Sequence, residues 1–422
     1  MPRVFPLAAV VLAAAAALAA PRAERQPAAE WPQFRGPQRN NLSPDTGLLK
    51  EWPKDGPPLA WKATGVGTGF SSVTLAGGRL FTLGNLKGKT YLFALDAGGG
   101  KHLWSAEVGR PGGNLGCTPT VDGDRVYAIG QDGDLICAKA DTGEVVWRRH
   151  FKKDFGGACG GWSYTESPLV DGDQLVCTPG GKDATLIALN KKTGEVIWKC
   201  PVPGGDAAGY SSVVITEAAG VRQYVQLLSN GLVGVRAKDG KFLWRYGGDR
   251  RHFGGNTANI PTPIIVKGDR VFASAGYGRG GALIELVSDG GEVKPKEIYF
   301  NRELNNKHGG VLLVGKHVYG DRDDSGNPFC ADLETGKVVW KKRDRSEGRG
   351  SAAITYADGN LYVRYDNGWM ALVPATPDGY EEKGGFKIPN SDHNSWAHPV
   401  VVGGKLYLRE KDVIWCYDVK KK

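Results

Sequence analysis

Short alternating runs of apolar and polar residues, each stopped by a glycine-bearing turn, recur along this chain. Asp122-Gly123 precedes Val126-Tyr127, Asp171-Gly172 precedes Leu175-Val176, and Lys267-Gly268-Asp269 precedes Val271-Phe272. Asp358-Gly359-Asn360 before Leu361-Tyr362, and Gly403-Gly404 before Leu406-Tyr407, continue the series. Period-two patterning between such turns predicts antiparallel hairpins, because alternate side chains of a strand share a face and these turns let the strand reverse.

A second signal is laid over the first. Trp61, Trp104, Trp147, Trp198, Trp244 and Trp340 stand 43, 43, 51, 46 and 96 residues apart, and the last gap is two units of 48. The approach to them repeats: Ala94-Leu95-Asp96 leads to Gly99-Gly100 and Trp104, Ala188-Leu189-Asn190 to Thr193-Gly194 and Trp198, and Cys330-Ala331-Asp332 to Thr335-Gly336 and Trp340. Degenerate copies run through Thr142-Gly143 to Trp147 and Asp239-Gly240 to Trp244. Gly four residues before Trp is the constant, and the turn glycine sets the twist that carries the indole to one face, where its area can cement neighbouring units.

Four strands every 40 to 50 residues or so is the pattern of a propeller blade. Weaker units run from Pro263 to Phe300 and from Ala353 to Phe386, with an aromatic in the Trp position. The stretch Trp396 to Val419 supplies three strands and then stops, while Leu59-Ala60-Trp61-Lys62 is a fourth strand with nothing before it. Pairing the two ends gives an all-β, eight-bladed propeller with closing aromatics Trp61, Trp104, Trp147, Trp198, Trp244, Phe300, Trp340 and Phe386. The expected organisation is an export signal over 1–20, a strap or linker over 21–54, and the propeller over 55–422.

The repeat Ala-x-Asp-x-x-Thr-Gly-x-x-x-Trp resembles the tryptophan-docking repeat of the quinoprotein dehydrogenase-like eight-bladed propellers, over about residues 55 to 420. The chain is most similar to small exported pyrroloquinoline-quinone-like repeat proteins, and is similar to the propeller subunit of the outer-membrane β-barrel assembly machinery. Trp31-Pro32-Gln33-Phe34-Arg35-Gly36-Pro37 looks like the lead segment of the first group and is expected to lie as an aromatic strap against the propeller. For the oxidoreductases of the family the resemblance implies pyrroloquinoline quinone (PQQ), a metal that is usually Ca²⁺, a catalytic Asp and typically two adjacent cysteines. This chain has no Cys-Cys pair, no Cys-x-x-Cys-His and none of the long insertions of the full enzymes.

Composition narrows the compartment and the partners. Glycine makes up 62 of 422 residues, twelve Trp, fifteen Tyr and thirteen Phe accompany two Met, and 41% of residues are hydrophobic, which excludes disorder and favours a β core. The net charge of +9 is dispersed, with its one obvious run at Lys420-Lys421-Lys422, so a nucleic-acid groove is not expected. Arg3, the apolar run Val4 to Ala20 and the small residues Ala17-Leu18-Ala19 read as an export signal, with an uncleaved N-terminal anchor as the alternative. The mature chain is expected to be periplasmic or extracellular, without a transmembrane segment, and a monomer. Cys137, Cys330 and Cys416 occupy one position of the repeat and are expected to stay free thiols.

Candidate chemistry gathers in the loops that join blades. Trp162, Tyr164, Glu166, Tyr210, Asn256, Asn259, Lys307, His308, Arg349, His393, Trp396 and His398 lie in glycine-rich connections and are the expected binding residues for a small molecule, peptide or protein. The bland alternative is that glycine serves crowding near the axis and the polar groups cap strand ends. Glu166, Asn256 and Asn259 could act as oxygen ligands, His393 and His398 could hold a metal with His308, and Asp321-Arg322-Asp323-Asp324-Ser325-Gly326 begins like a Ca²⁺ loop, though a solvated loop is the simpler reading of it. No Gly-x-Ser-x-Gly elbow occurs. These residues favour a non-catalytic scaffold, with a PQQ-dependent oxidoreductase working in the channel as the alternative and no catalytic residue assigned.

Overall fold

A computed structural model describes residues 1, 30–342, 347–391 and 394–421. The expected export signal lies outside the described residues. Eight four-stranded antiparallel sheets form, seven of them from consecutive strands: Thr74–Ala76 through His102–Gly109 makes blade 1, and Ala352–Ala357 through Gly385–Lys387 makes blade 7. Blade 8 joins both ends of the propeller, with Leu59–Thr64 pairing outside Val413–Asp418. Trp61 stands opposite Cys416, and its ring meets Tyr407 at 6.0 Å. No helix among the described residues is long and apolar enough to cross a membrane.

The repeat glycine has a second reason to be glycine. Each lies in the left-handed region (φ 72° at Gly100, 75° at Gly143, 73° at Gly194), and each supports the aromatic ring of the blade before it. A Cβ on Gly100 would strike Trp61 at 2.6 Å, on Gly143 Trp104 at 2.5 Å, on Gly194 Trp147 at 2.8 Å and on Gly240 Trp198 at 2.4 Å. The docking ring of one blade therefore lies on the turn of the next, and any side chain there would lift it off.

One closing aromatic differs from expectation. In blade 5 it is Tyr299, not Phe300, that stands opposite the residue before the bulge and lies on Gly336, whose Cβ would meet it at 2.4 Å. A one-residue slip reverses the face of every side chain, and Phe300 points instead to His252 and Phe253. All seven cysteines are free, and Cys137, Cys330 and Cys416 face Trp147, Trp340 and Trp61 across their strand pairs.

At the axis the blades are joined in two ways. Two residues before each inner strand of blades 1 to 5 sits a small hydroxyl residue, and the hydroxyls form a relay. Ser72 N donates to Thr118 Oγ1 at 3.0 Å, Thr118 N to Ser167 Oγ at 3.0 Å, Ser167 N to Ser212 Oγ at 3.0 Å and Ser212 N to Thr262 Oγ1 at 3.1 Å. In blades 6 and 8 the residues at that place are Gly310 and His398; in blade 7 it is Ala353, since Thr355 donates to Pro399 O as Thr120 does to Pro168 O, and the relay stops. Buried ions take over. Arg364 donates to Ala397 O at 2.7 Å and pairs with Glu410 at 2.8 Å, while Arg409 reaches from blade 8 to Thr82 Oγ1 at 2.9 Å and Gly67 O at 2.8 Å.

The lead segment does more than strap the outside. Trp31 pairs with Leu75, Pro32 O accepts from Val121 N, and the chain then crosses the axis. Arg39 donates to Val213 O at 2.8 Å and Ser167 O at 3.0 Å, and Arg35 to Val311 O at 2.5 Å. Asn41 donates to Ile354 O at 3.0 Å. With His398 Nδ1 of blade 8 lying 3.0 Å from Asn41 Nδ2, seven blades are bonded to, or packed against, a plug seated in the axial channel. Arg35, Arg39 and Asn41 hold φ of 65°, 54° and 59°, a conformation disfavoured for residues with a Cβ and stable here because surrounding bonds dictate it.

Candidate functional site

Above the plug the channel opens as a cavity of about 280 Å³ lined by blade-joining loops. Its floor comes from Phe34, Arg35 and His398, and its walls from Phe70, Tyr210, Tyr277, His308 and Trp396, with Trp162 at the edge. Trp396 is held between rings: His308 stacks on it at 4.2 Å with 19° between planes, and Phe70 lies 4.6 Å away on a tilt. Trp162 meets Tyr210 edge-on at 5.9 Å and is 42% exposed, a large apolar surface left facing outward. Lys307 lies 4.5 Å over the Tyr277 ring and pairs with Asp324.

Electrostatics set the character of this space. Burial, then the charge of Lys307, lowers the His308 pKa to about 4; burial, then Arg35, lowers that of His398 to about 3. Both rings are neutral at pH 7, and the cations at the cavity are Arg35 and Lys307. No Asp or Glu lines it among the described residues. Arg35 is 2% exposed, and burial, with Arg39 nearby, lowers its pKa to about 10, so it remains charged.

Of the sequence-predicted site residues, Trp162, Tyr210, Lys307, His308, Trp396 and His398 converge on the cavity. His393 lies outside the described residues. Tyr164, Glu166, Asn256, Asn259 and Arg349 do not line it. Tyr164 is buried and donates to Pro179 O at 2.8 Å. Glu166 is buried beside the relay, accepts from Thr178 N, and has its pKa raised to about 7 by burial, which the Thr178 bonds and Arg39 only partly offset. Asn256 donates to Asn259 Oδ1 at 2.8 Å, and Asn259 to Leu228 O at 2.8 Å, so both amides hold loops together. Arg349 is exposed in the connection from blade 6 to blade 7, none of whose described residues lines the cavity. Phe34, Arg35, Phe70 and Tyr277 join the site without having been expected. Phe34 and Arg35 were legible as a lead segment, but nothing in its spacing told that it enters the axis.

The metal readings find other uses for their residues. Asp323 accepts from Tyr277 N and Gly278 N, both at 3.0 Å, and Asp321 is buried and accepts from Ala352 N at 3.1 Å, while Arg322, Asp324 and Ser325 are exposed, so the Ca²⁺-like stretch is a surface loop stapled at two of its acids. His398 Nδ1 lies 3.0 Å from Asn41 Nδ2 and its Nε2 3.4 Å from His308 O. Asp132, Asp134 and His150 come together away from the cavity, where Lys152 already pairs with Asp132. A divalent cation beside a quinone needs anionic oxygen donors, and among the described residues the lining offers two cations, neutral amide and hydroxyl oxygens and no carboxylate, a set that does not fit that group.

Comparison with known proteins places the chain. The family model PQQ_2, described as outer membrane protein assembly factor BamB, matches residues 88–342. An outer membrane protein assembly factor BamB of Burkholderia pseudomallei is 26% identical over 257 residues, 57% of this chain and 59% of the relative. A tetrathionate hydrolase of Acidithiobacillus ferrooxidans is 24% identical over 75% of this chain and 53% of its own. The quinohemoprotein alcohol dehydrogenase ADH IIB of Pseudomonas putida is 29% identical over 77% of this chain and 43% of its own. The chain spans about half the length of these curated relatives. The solved quinohemoprotein alcohol dehydrogenase of Comamonas testosteroni superposes with a TM-score of 0.65 over 93% of this chain and 81% of that one, at 14% identity, which speaks for a shared fold alone. With more than half of the chain inside the matched model, this protein belongs to the PQQ_2 family.

Proposed function

We propose that this protein is an exported, non-catalytic binding scaffold whose plugged axial cavity receives a small molecule or the end of a peptide or protein partner. The observation that carries the reading is the cavity itself: aromatic walls, few polar groups and a closed floor are what a binding pocket needs. Relatives described as assembly factors support a scaffold, and relatives described as alcohol dehydrogenases support the quinone alternative. Among the described residues no carboxylate lines the cavity, which supports the first.

A photo-crosslinking amino acid in place of Trp162 tests it in envelope preparations, with Val339, exposed on an outer strand, as control site. A discrete adduct at 162, absent at 339 and weakened by Trp396→Ala, is expected. Indistinguishable labelling at the two positions, or dye reduction by the purified chain with PQQ and Ca²⁺, would overturn the proposal.

A further inference from the structure

Arg35 is the least satisfied of the buried arginines. Guanidinium groups taken out of water need a carboxylate or several oxygen acceptors: Arg364 meets Glu410 at 2.8 Å, and Arg39 and Arg409 each donate to several carbonyl or side-chain oxygens. Arg35 has a main-chain carbonyl, Val311 O, and its Nε has no partner among the described residues. No acid among the described residues forms an ion pair with it, and the nearest influential charge is Arg39, which repels it. It nevertheless sits at the floor of the cavity, with neutral His398 beside it and the aromatic walls above.

A cation fixed at the closed end of an apolar pocket is complementary to one kind of ligand. The ligand must enter end-on, because the plug blocks passage through the ring. It must carry negative charge at its leading end, for which a planar carboxylate matches the guanidinium fork. Behind that charge it must be apolar or aromatic, to lie against Trp396, Phe70 and Tyr210. We propose that Arg35 is the anchor for the carboxylate of an apolar acid inserted head-first into the cavity, supplied either by a free small acid or by the C-terminal residue of a peptide. The inference rests on the binding reading above and names the chemistry of its ligand.

The test uses the purified chain and calorimetric titration. One arm compares 3-phenylpropionate with 3-phenylpropanol; the other compares a tripeptide ending in phenylalanine as free acid with its C-terminal amide. Binding of at least one acid, weakened tenfold or more in the neutral analogue, is expected, and whichever arm binds more tightly identifies the source. Arg35→Gln should abolish the preference for acid over neutral analogue. Arg35→Lys should retain it in weaker form, because a point charge replaces the fork. Since Arg35→Gln also removes a plug contact, Arg39→Gln, which removes the plug contacts to Val213 O and Ser167 O but does not line the cavity, serves as a control expected to keep the preference. Equal affinity for acid and neutral analogue, no binding of either acid, or an unchanged preference in Arg35→Gln would overturn the proposal. If the Trp162 crosslink persists in any of those cases, the scaffold reading stands and the carboxylate anchor alone falls.

Discussion

Blades 1 to 5 meet at the axis through a relay of neutral hydroxyls, to which the plug adds Arg39 over blades 3 and 4, whereas blades 6 to 8 lack the relay and meet through buried ions and the plug. The geometric task is the same on both arcs: backbone N–H and C=O groups crowded near the axis must find partners without water. Ser or Thr before the inner strand solves it with one side chain per blade. Where Gly310, Ala353 and His398 stand instead, no hydroxyl is available, and Arg35, Asn41, Arg364 and Arg409 reach in from other parts of the chain. Losing a local partner thus creates dependence on distant segments. The arc without the relay is also the one that supplies His308, Trp396 and His398 to the cavity, and the plug supplies Phe34 and Arg35, so plug and candidate site are built together.

The largest expected effect separates the arcs by charge. Arg364→Met leaves Glu410, nearly inaccessible, without its cation, and loss of one partner of a buried pair costs about 3–5 kcal/mol. A lower denaturation midpoint, largely restored by the double variant Arg364→Met, Glu410→Leu, is the expected outcome in urea titration. If the single variant matches wild type, the ionic description of this arc is wrong.

The arcs should also answer pH with opposite signs. His308 and His398 have folded pKa values of about 4 and 3, below the free value, so the unfolded chain binds protons first on acidification. Their contribution is complete above about pH 6.5 and is lost as pH falls, each group adding a slope of up to about 1.4 kcal/mol per unit. Glu166, on the hydroxyl arc, has a folded pKa raised to about 7, so the native state holds the proton more tightly. Its contribution is present below about pH 4.5 and is lost as pH rises through about 7. Stability measured from pH 4.5 to 7.5 should therefore fall less steeply toward acid than the histidines alone dictate. Glu166→Gln should steepen that fall, and His398→Gln should flatten it. Slopes that respond in the same direction in both variants would contradict this assignment.

How much of this was legible follows from the range of each signal. Blade number, turn glycines and ring closure were readable because each is written within about ten residues and repeated. Tyr299 was misread as Phe300 because the bulge that sets the face appears only in the paired register. The relay had a visible mark, Thr118-Pro119, Ser167-Pro168 and Thr262-Pro263, each a hydroxyl before proline at an inner strand, but its meaning depends on a neighbour some 45 to 50 residues away. Half of the expected site residues reached the cavity because loop composition marks the face but not the direction of each side chain. Arg35 was beyond reach: its partner Val311 is 276 positions further on.

The smallest effect is the sharpest check on the neutral arc. Ser212→Ala removes the hydroxyl that accepts from Ser167 N at 3.0 Å and leaves that buried N–H without a partner. The expected cost is about 1–3 kcal/mol, the penalty for stranding one neutral donor, and less than that for stranding Glu410. Because the ion beside this link, Arg39 on Ser167 O and Val213 O, has a pKa of about 10 and stays charged, the loss should be the same at pH 5 and pH 7.5, apart from any coupling to Glu166 next to Ser167 in the chain. Combining Ser212→Ala with Glu166→Gln removes that coupling. A pH-independent loss in the double variant, relative to Glu166→Gln alone, would mean the relay acts by hydrogen bonding only. A loss that still changed with pH would mean that the buried charges of the opposite arc reach across the axis, and that the two arcs are electrostatically one ring.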